Sequence, residues 1–265
     1  MTGTDATRAA PALVAQRLTL GAGERTLVDA LDLDLRAGMF TAVLGRNGSG
    51  KTLLLHTLAG LRDAQGGTVL LDGAPLASLA RREIARRIAL LAQDSEAGQP
   101  TAVADLVALG RYAHAPAWGG PSATDQAIAA AAMRAADVHG LAHRSTATLS
   151  GGELRRAAMA LVLAQEAPLM LLDEPTNHLD PQHCMLLLEA FAGRARAGAA
   201  VMATLHDPGL AAHFASHVLL LFGDGRWRFG PAGEILSEQS LGELYATPML
   251  ELRAGARRTF MARGA

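Results

Sequence analysis

The stretch Gly45-Arg46-Asn47-Gly48-Ser49-Gly50-Lys51-Thr52 follows the apolar run 41–44 and precedes Leu53-Leu54-Leu55. Its spacing is G-x-x-x-x-G-K-[ST], and the flanking pattern reads strand, glycine-rich loop, helix. In that arrangement successive backbone N–H groups wrap phosphate oxygens, Lys51 reaches the β and γ groups, and the Thr52 hydroxyl ligates magnesium. The glycines let the main chain approach the phosphates closely. The sequence therefore implies a nucleotide site at a strand-to-helix junction.

A chain of 265 residues, half of them apolar, is long enough for one large α/β domain or a core with a smaller lobe. Its formal net charge of −1 gives no electrostatic reason to expect a nucleic-acid partner. The single Cys184 rules out an internal disulfide and suits a reducing cytosol. The first residues lack the apolar core of a secretory signal. The apolar runs 157–164 and 199–205 fall well short of the ~20 residues needed to span a bilayer, so any membrane role would act through a partner.

Three further apolar runs read as buried strands: 88–92 ending at Gln93, 169–172 ending at Asp173-Glu174, and 201–205 ending at His206. In an open α/β sheet ligands lie beyond the carboxyl ends of the strands, so this shared polarity aims four segments at one crevice. Asp173 is placed to hold magnesium through water, and Glu174 to polarise a water for in-line attack on the γ-phosphate. The competing reading of that pair is an acidic helix start before Pro175-Thr176. His206 could donate to the γ-phosphate or orient the water, although a lone histidine is more often structural. The pairs His139/His143 and His213/His217 have helical metal-ligand spacing, but Gly140 interrupts the first and neither has cysteines nearby, so no metal is expected there.

Leu149-Ser150-Gly151-Gly152-Glu153 opens a helix reaching about Gln165. Ser150 with Glu153 forms a capping box. Two glycines in the first turn give up roughly 0.8–1 kcal/mol each relative to alanine, which points to close approach of another group. Bare N–H groups and a hydroxyl at a helix start make a ready anion site.

Taken together, GRNGSGKT at 45–52, Gln93, LSGGE at 149–153, LMLLDEPTNHLD at 169–180 and His206 resemble the nucleotide-binding subunits of ATP-binding cassette transporters, whose signature reads LSGGQ. The resemblance implies an α/β fold of P-loop NTPase, RecA-like type, with an antiparallel β subdomain and an inserted α-helical subdomain. It also implies a head-to-tail homodimer binding ATP and Mg2+, each nucleotide shared between two copies. Gly45 to Thr52 would bind ATP, with Lys51, Gln93, Glu174 and His206 catalytic, and Thr52, Gln93 and Asp173 on the metal. Ser150, Gly151, Gly152 and Glu153 would bind the same ATP from the other copy, and Asp180 would couple the sites across the interface. The stretch 103–112 looks like its counterpart in importers of ferric siderophores, haem and cobalamin. An ATPase subunit of that kind works at the cytoplasmic face of the inner membrane with two polytopic permease subunits and a periplasmic or lipid-anchored solute-binding protein. Competing readings are a soluble cassette acting on ribosomes or DNA, and a catalytically weak cassette.

The organisation expected is an ATPase domain over 1–229, its core at 1–93 and 149–229 and its helical subdomain at about 94–148, then a tail over 230–265 packed on the core. Helices are expected at 103–112 and 125–141, with Pro116, Gly119, Gly120 and Pro121 in the loop between them. The alternation Leu31-Asp32-Leu33-Asp34-Leu35 predicts an antiparallel strand, and Asp224-Gly225 a hairpin turn. One departure from the family stands out. The position where an aromatic ring usually stacks on adenine is Ala22, and no Phe, Tyr, Trp or His precedes Phe40. Losing one such stack costs roughly 1–3 kcal/mol. With Arg17 or Arg25 as stand-ins, a weakened preference for ATP over GTP is expected.

Overall fold

The structure is a computed structural model that describes residues 11–93, 99–115, 121–255 and 257–263. The chain start, the subdomain boundary expected at 94, and Pro116, Gly119 and Gly120 lie outside those residues. The chain opens with β1 (Pro11–Ala22), β2 (Arg25–Arg36), β3 (Phe40–Gly45), α1 (Lys51–Leu58), β4 (Gly66–Leu71), β5 (Ala74–Pro75), α2 (Arg81–Arg87) and β6 (Ile88–Leu91). Helices α3 (Val103–Ala108), α4 (Ala123–Ala135) and α5 (Gly151–Gln165) follow. It then alternates through β7 (Leu169–Leu172), α6 (Pro181–Arg196), β8 (Ala200–Thr204), α7 (Pro208–Phe214), β9 (His217–Leu221) and β10 (Trp227–Pro231). Last come α8 (Ala232–Ile235), α9 (Glu238–Tyr245), β11 (Met249–Ala254) and β12 (Arg257–Ala262).

The larger sheet has the order β10-β9-β3-β8-β7-β6, parallel except for β10. It contains the four strands expected from the sequence as neighbours. Their residues alternate between two cores: Met170 and Leu172 face one, Leu169 and Leu171 the other. Burial on both faces explains why these strands read as unbroken apolar runs. One face is covered by α3 to α7. On the other, Leu54, Leu55 and Leu58 of α1 fill the space beneath a smaller antiparallel sheet of order β2-β1-β4-β5. The Leu31–Leu35 alternation lies in that sheet with every leucine buried. Asp224-Gly225 sits in the turn joining β9 to β10, with Gly225 at φ 95°.

Two expected helices end early. The first is helical over 103–108 and tightens into a 3-10 turn at Leu109–Arg111, where Gly110 lies against α5. The second stops at Ala135 because Asp137 turns left-handed at φ 52°. There the Val138 N–H donates to the Met133 carbonyl and the Asp137 N–H to that of Arg134. That is a Schellman ending, formed without the usual glycine. β10 runs on to Pro231, past residue 229 where the core was expected to end. Beyond it, Leu236, Leu241, Leu244 and Phe260 join the helix-side core. Among the described residues no helix is long and apolar enough to cross a membrane.

Candidate functional site

The loop from Gly45 to Gly50 leaves β3 and enters α1 at Lys51. All three of its glycines are required by the geometry, Gly48 through its φ of 76°. A Cβ at Gly45 would sit 2.4 Å from Ser49 Oγ and 2.7 Å from the Leu221 carbonyl, and Gly50 adopts φ 99°. The Lys51 ammonium donates to the carbonyls of Gly45 at 2.9 Å and Arg46 at 3.3 Å. Burial lowers its pKa, and the nearby charges of Glu174 and then Asp173 pull it back up.

The parallel register brings the other strand ends to the same cleft, of about 570 Å³, which is lined by Asn47, Gly48, Gly50, Lys51, Thr52, Gln93, Glu174 and His206 among others. Glu174 is 8% exposed and left-handed at φ 46°, with its N–H donating to Thr204 Oγ1 at 2.7 Å. Its Oε1 lies 2.8 Å from His206 Nε2, and its Oε2 accepts from Gln93 Nε2 at 3.0 Å and from the Asn177 amide. Asp173 is fully buried: Oδ1 accepts from Thr204 Oγ1 at 2.7 Å, while Oδ2 has no partner among the described residues. An orphaned carboxylate oxygen beside a hydroxyl-bearing phosphate loop is the oxygen donor set that magnesium takes, so the residues fit that ion.

Thr204, Arg155, Asn177, Leu27 and Arg62 were not legible as site residues. Thr204 ties Asp173 to Glu174. Arg155, reaching in from α5, donates to the carbonyls of Ala92 at 2.7 Å, Gln93 at 3.1 Å and Glu174 at 2.7 Å, and to that of Asp173. Nothing in a helical Arg-Arg pair distinguishes such a clamp from a solvated face. Arg62 and Leu27 line the cleft beside Ala22, whereas Arg17 and Arg25, the cations considered from sequence, do not.

Ser150, Gly151, Gly152, Glu153 and Asp180 do not line this cleft. Ser150 caps α5, its Oγ accepting from the Glu153 N–H at 3.3 Å and its N–H donating to Glu153 Oε2 at 2.7 Å. That backbone hydrogen bond holds the Glu153 carboxyl below its ordinary pKa. Of the two glycines, Gly152 is approached within its own chain, since a Cβ there would lie 3.1 Å from the His178 carbonyl. Gly151 faces open space. Asp180 caps α6, accepting from the His183 N–H at 3.0 Å with Nδ1 of the same ring 2.6 Å away.

A glycine loop and buried lysine after one strand, with an orphaned aspartate and a glutamate after another parallel strand of the same sheet, define a P-loop nucleotide-binding protein. Residues 28–177 match the family described as ABC transporter. The hemin import ATP-binding protein HmuV of Streptomyces coelicolor is 43% identical over 228 residues, covering 86% of this chain and 80% of that protein. The ferric enterobactin transport ATP-binding protein FepC of Escherichia coli is 40% identical over 231 residues, covering 87% and 85%. A solved inward-facing metal-chelate type ABC transporter superposes with a TM-score of 0.82 at 27% identity, covering 96% of this chain and 98% of that one. The chain belongs to the ATP-binding cassette family and is an ATPase of that family.

Proposed function

We propose that this chain is the ATPase subunit of an importer that takes up an iron complex, either a ferric siderophore or haem, or else cobalamin. It acts at the cytoplasmic face of the inner membrane as a homodimer on two polytopic permease subunits, which receive cargo from a periplasmic or lipid-anchored binding protein. The names of HmuV and FepC support the iron-complex cargo. The observation that carries the ATPase reading is the convergence of Lys51, Gln93, Glu174 and His206 on the phosphate-loop cleft.

In this reading the N–H groups from Gly45 to Gly50 hold the phosphates, and Lys51 leaves the carbonyls of its own loop for the β and γ oxygens. Thr52, Gln93 and Asp173 hold Mg2+, which when bound neutralises charge developing on the phosphates. Glu174 is the general base. Its oxygens are engaged by His206, Gln93 and Asn177, so proton transfer from water requires at least one of those donors to turn to the water or the γ-phosphate. Arg155 and Thr204 hold the main chain on either side of the base still while that happens.

The open face at Gly151 supports a site completed by a second copy, whose Ser150, Gly151, Gly152 and Glu153 meet the γ-phosphate while Asp180 spans the interface. ATP then favours closure by contacts absent from the open state, and loss of the γ-phosphate removes them. The test is the Glu174→Gln variant assembled with its permease and Mg-ATP. We expect a trapped dimer in which Ser150→Cys of one copy crosslinks to Asn47→Cys in the phosphate loop of the other, and separated subunits would refute the shared site. Uptake of labelled haem, ferric siderophore and cobalamin by the assembled complex identifies the cargo.

A further inference from the structure

We infer that Arg62 is the residue that receives the nucleotide base, and that the cleft therefore binds guanine nucleotides at least as well as adenine nucleotides; this rests on the nucleotide-binding reading above. The cleft divides by chemistry. Asn47, Gly48, Gly50, Lys51, Thr52 and Leu53, from the phosphate loop and the helix it enters, form the phosphate end, and Gln93, Glu174, Asn177 and His206 the hydrolytic end. What remains of the wall beside Ala22 is Leu27 and Arg62. Leu27 stands directly on the phosphate loop, since a Cβ at Gly50 would meet its Cβ at 3.3 Å. Among the described residues no Phe, Tyr or Trp lines the cleft, and the imidazole there, His206, is engaged by Glu174. The guanidinium of Arg62 is the remaining planar group.

Its position is built into the end of α1. The Gly60 N–H donates to the Thr57 carbonyl and the Leu61 N–H to that of His56, with Gly60 at φ 69°. This Schellman ending turns the chain so that the exposed Arg62 borders the cleft. Among the described residues Arg62 makes no hydrogen bond or ion pair, although Asp63 is its neighbour. The group is thus available.

An arginine selects differently from an aromatic ring. Lying over the ring it stacks on either purine alike, whereas lying along the base edge instead it presents donors alone. Guanine offers two acceptors, O6 and N7, to such a fork, whereas adenine pairs N7 with a donor. Nothing in Ala22 or Leu27 can compensate by accepting from the adenine amino group.

The experiment measures binding of ATP, GTP and inorganic tripolyphosphate to the full chain, unaltered and as Arg62→Ala, Arg62→Lys and Ala22→Tyr. We expect GTP to bind as tightly as ATP or more tightly. Arg62→Ala should weaken both nucleotides about two- to fivefold, as for loss of one exposed cation–π contact, and leave tripolyphosphate unchanged. Arg62→Lys should fail to restore GTP binding, and Ala22→Tyr should strengthen ATP without needing Arg62. Preference for ATP by more than about twofold in the unaltered chain, or an equal loss of all three ligands in Arg62→Ala, overturns the proposal while leaving the nucleotide site intact. If no ligand binds even the unaltered chain, the functional reading falls and this inference with it.

Discussion

Nε2 of His206 lies 2.8 Å from Oε1 of Glu174, so a residue at the end of β8 steadies a carboxylate at the end of β7. The two strands are hydrogen-bonded neighbours, and their shared register sets the spacing. If Glu174 is the base, Glu174→Gln removes proton acceptance while keeping shape. Hydrolysis should fall by about 10²–10⁴-fold with nucleotide affinity within about threefold of the unaltered chain. Steady-state phosphate release and equilibrium binding check both halves, and turnover near the original rate excludes Glu174 from that role.

Arg155 is 5% exposed and joins the ends of β6 and β7 through four main-chain carbonyls. Arg155→Met keeps much of the volume and removes every donor. Each buried acceptor left without a partner costs about 1–3 kcal/mol, and partial relaxation brings the expected loss to about 2–4 kcal/mol. Denaturant unfolding measures it. Because the clamp also fixes Glu174, the folded variant should hydrolyse ATP more slowly than its nucleotide affinity alone accounts for. A variant as stable and as active as the original would show that the carbonyls find other donors.

The sheet core was legible because burial on both faces writes parallel strands as continuous apolar runs, each stopping at a polar residue. Gln93, Glu174 and His206 were found that way. Thr204 was hidden by the same rule: it sits inside the run 201–205, where a β-branched residue reads as strand, and its hydroxyl matters only because β7 lies beside it. Arg62 was missed because its place depends on the turn at Gly60 rather than on any local pattern. Asp137 ends α4 in a conformation that sequence assigns to glycine, so the helix was expected to run on to residue 141.

Asp125 carries the pH dependence of the helical segment. The Ser122 hydroxyl and then the Arg111 guanidinium hold its carboxyl down to about 2, against an ordinary 3.8. A carboxylate with a depressed folded pKa stabilises above its unfolded value and loses that contribution as pH falls through the folded one. The contribution is therefore complete only well above the ordinary 3.8, shrinks as pH falls through that value, and fades toward pH 2. Thermal melting followed from pH 7 to pH 2.5 should show Asp125→Asn less stable at neutral pH and converging on the unaltered chain in acid. Parallel curves across the range would remove Asp125 from the acid response.

Gly110 and Gly140 provide a paired test of how α3 meets α5. At Gly110 a Cβ would lie 2.4 Å from the Leu161 carbonyl and 3.1 Å from the Gln165 nitrogen, both rigid main-chain atoms of a helix. At Gly140, in the 3-10 turn His139–Leu141, nothing lies within 4 Å. Neither glycine has a positive φ, so each alanine differs only in the space it meets. Gly110→Ala must push the 3-10 turn at Leu109–Arg111 away from α5, which also strains the Arg111 bond to the Ala164 carbonyl at 2.8 Å. Overpacking of that kind costs about 1–3 kcal/mol, or a fall of about 2–10 °C in melting temperature for a domain of this size. Gly140→Ala should stay within about 0.5 kcal/mol of the original. Equal melting temperatures for the two variants would mean that α3 can lift from α5 without loss, and that their close approach contributes nothing to stability.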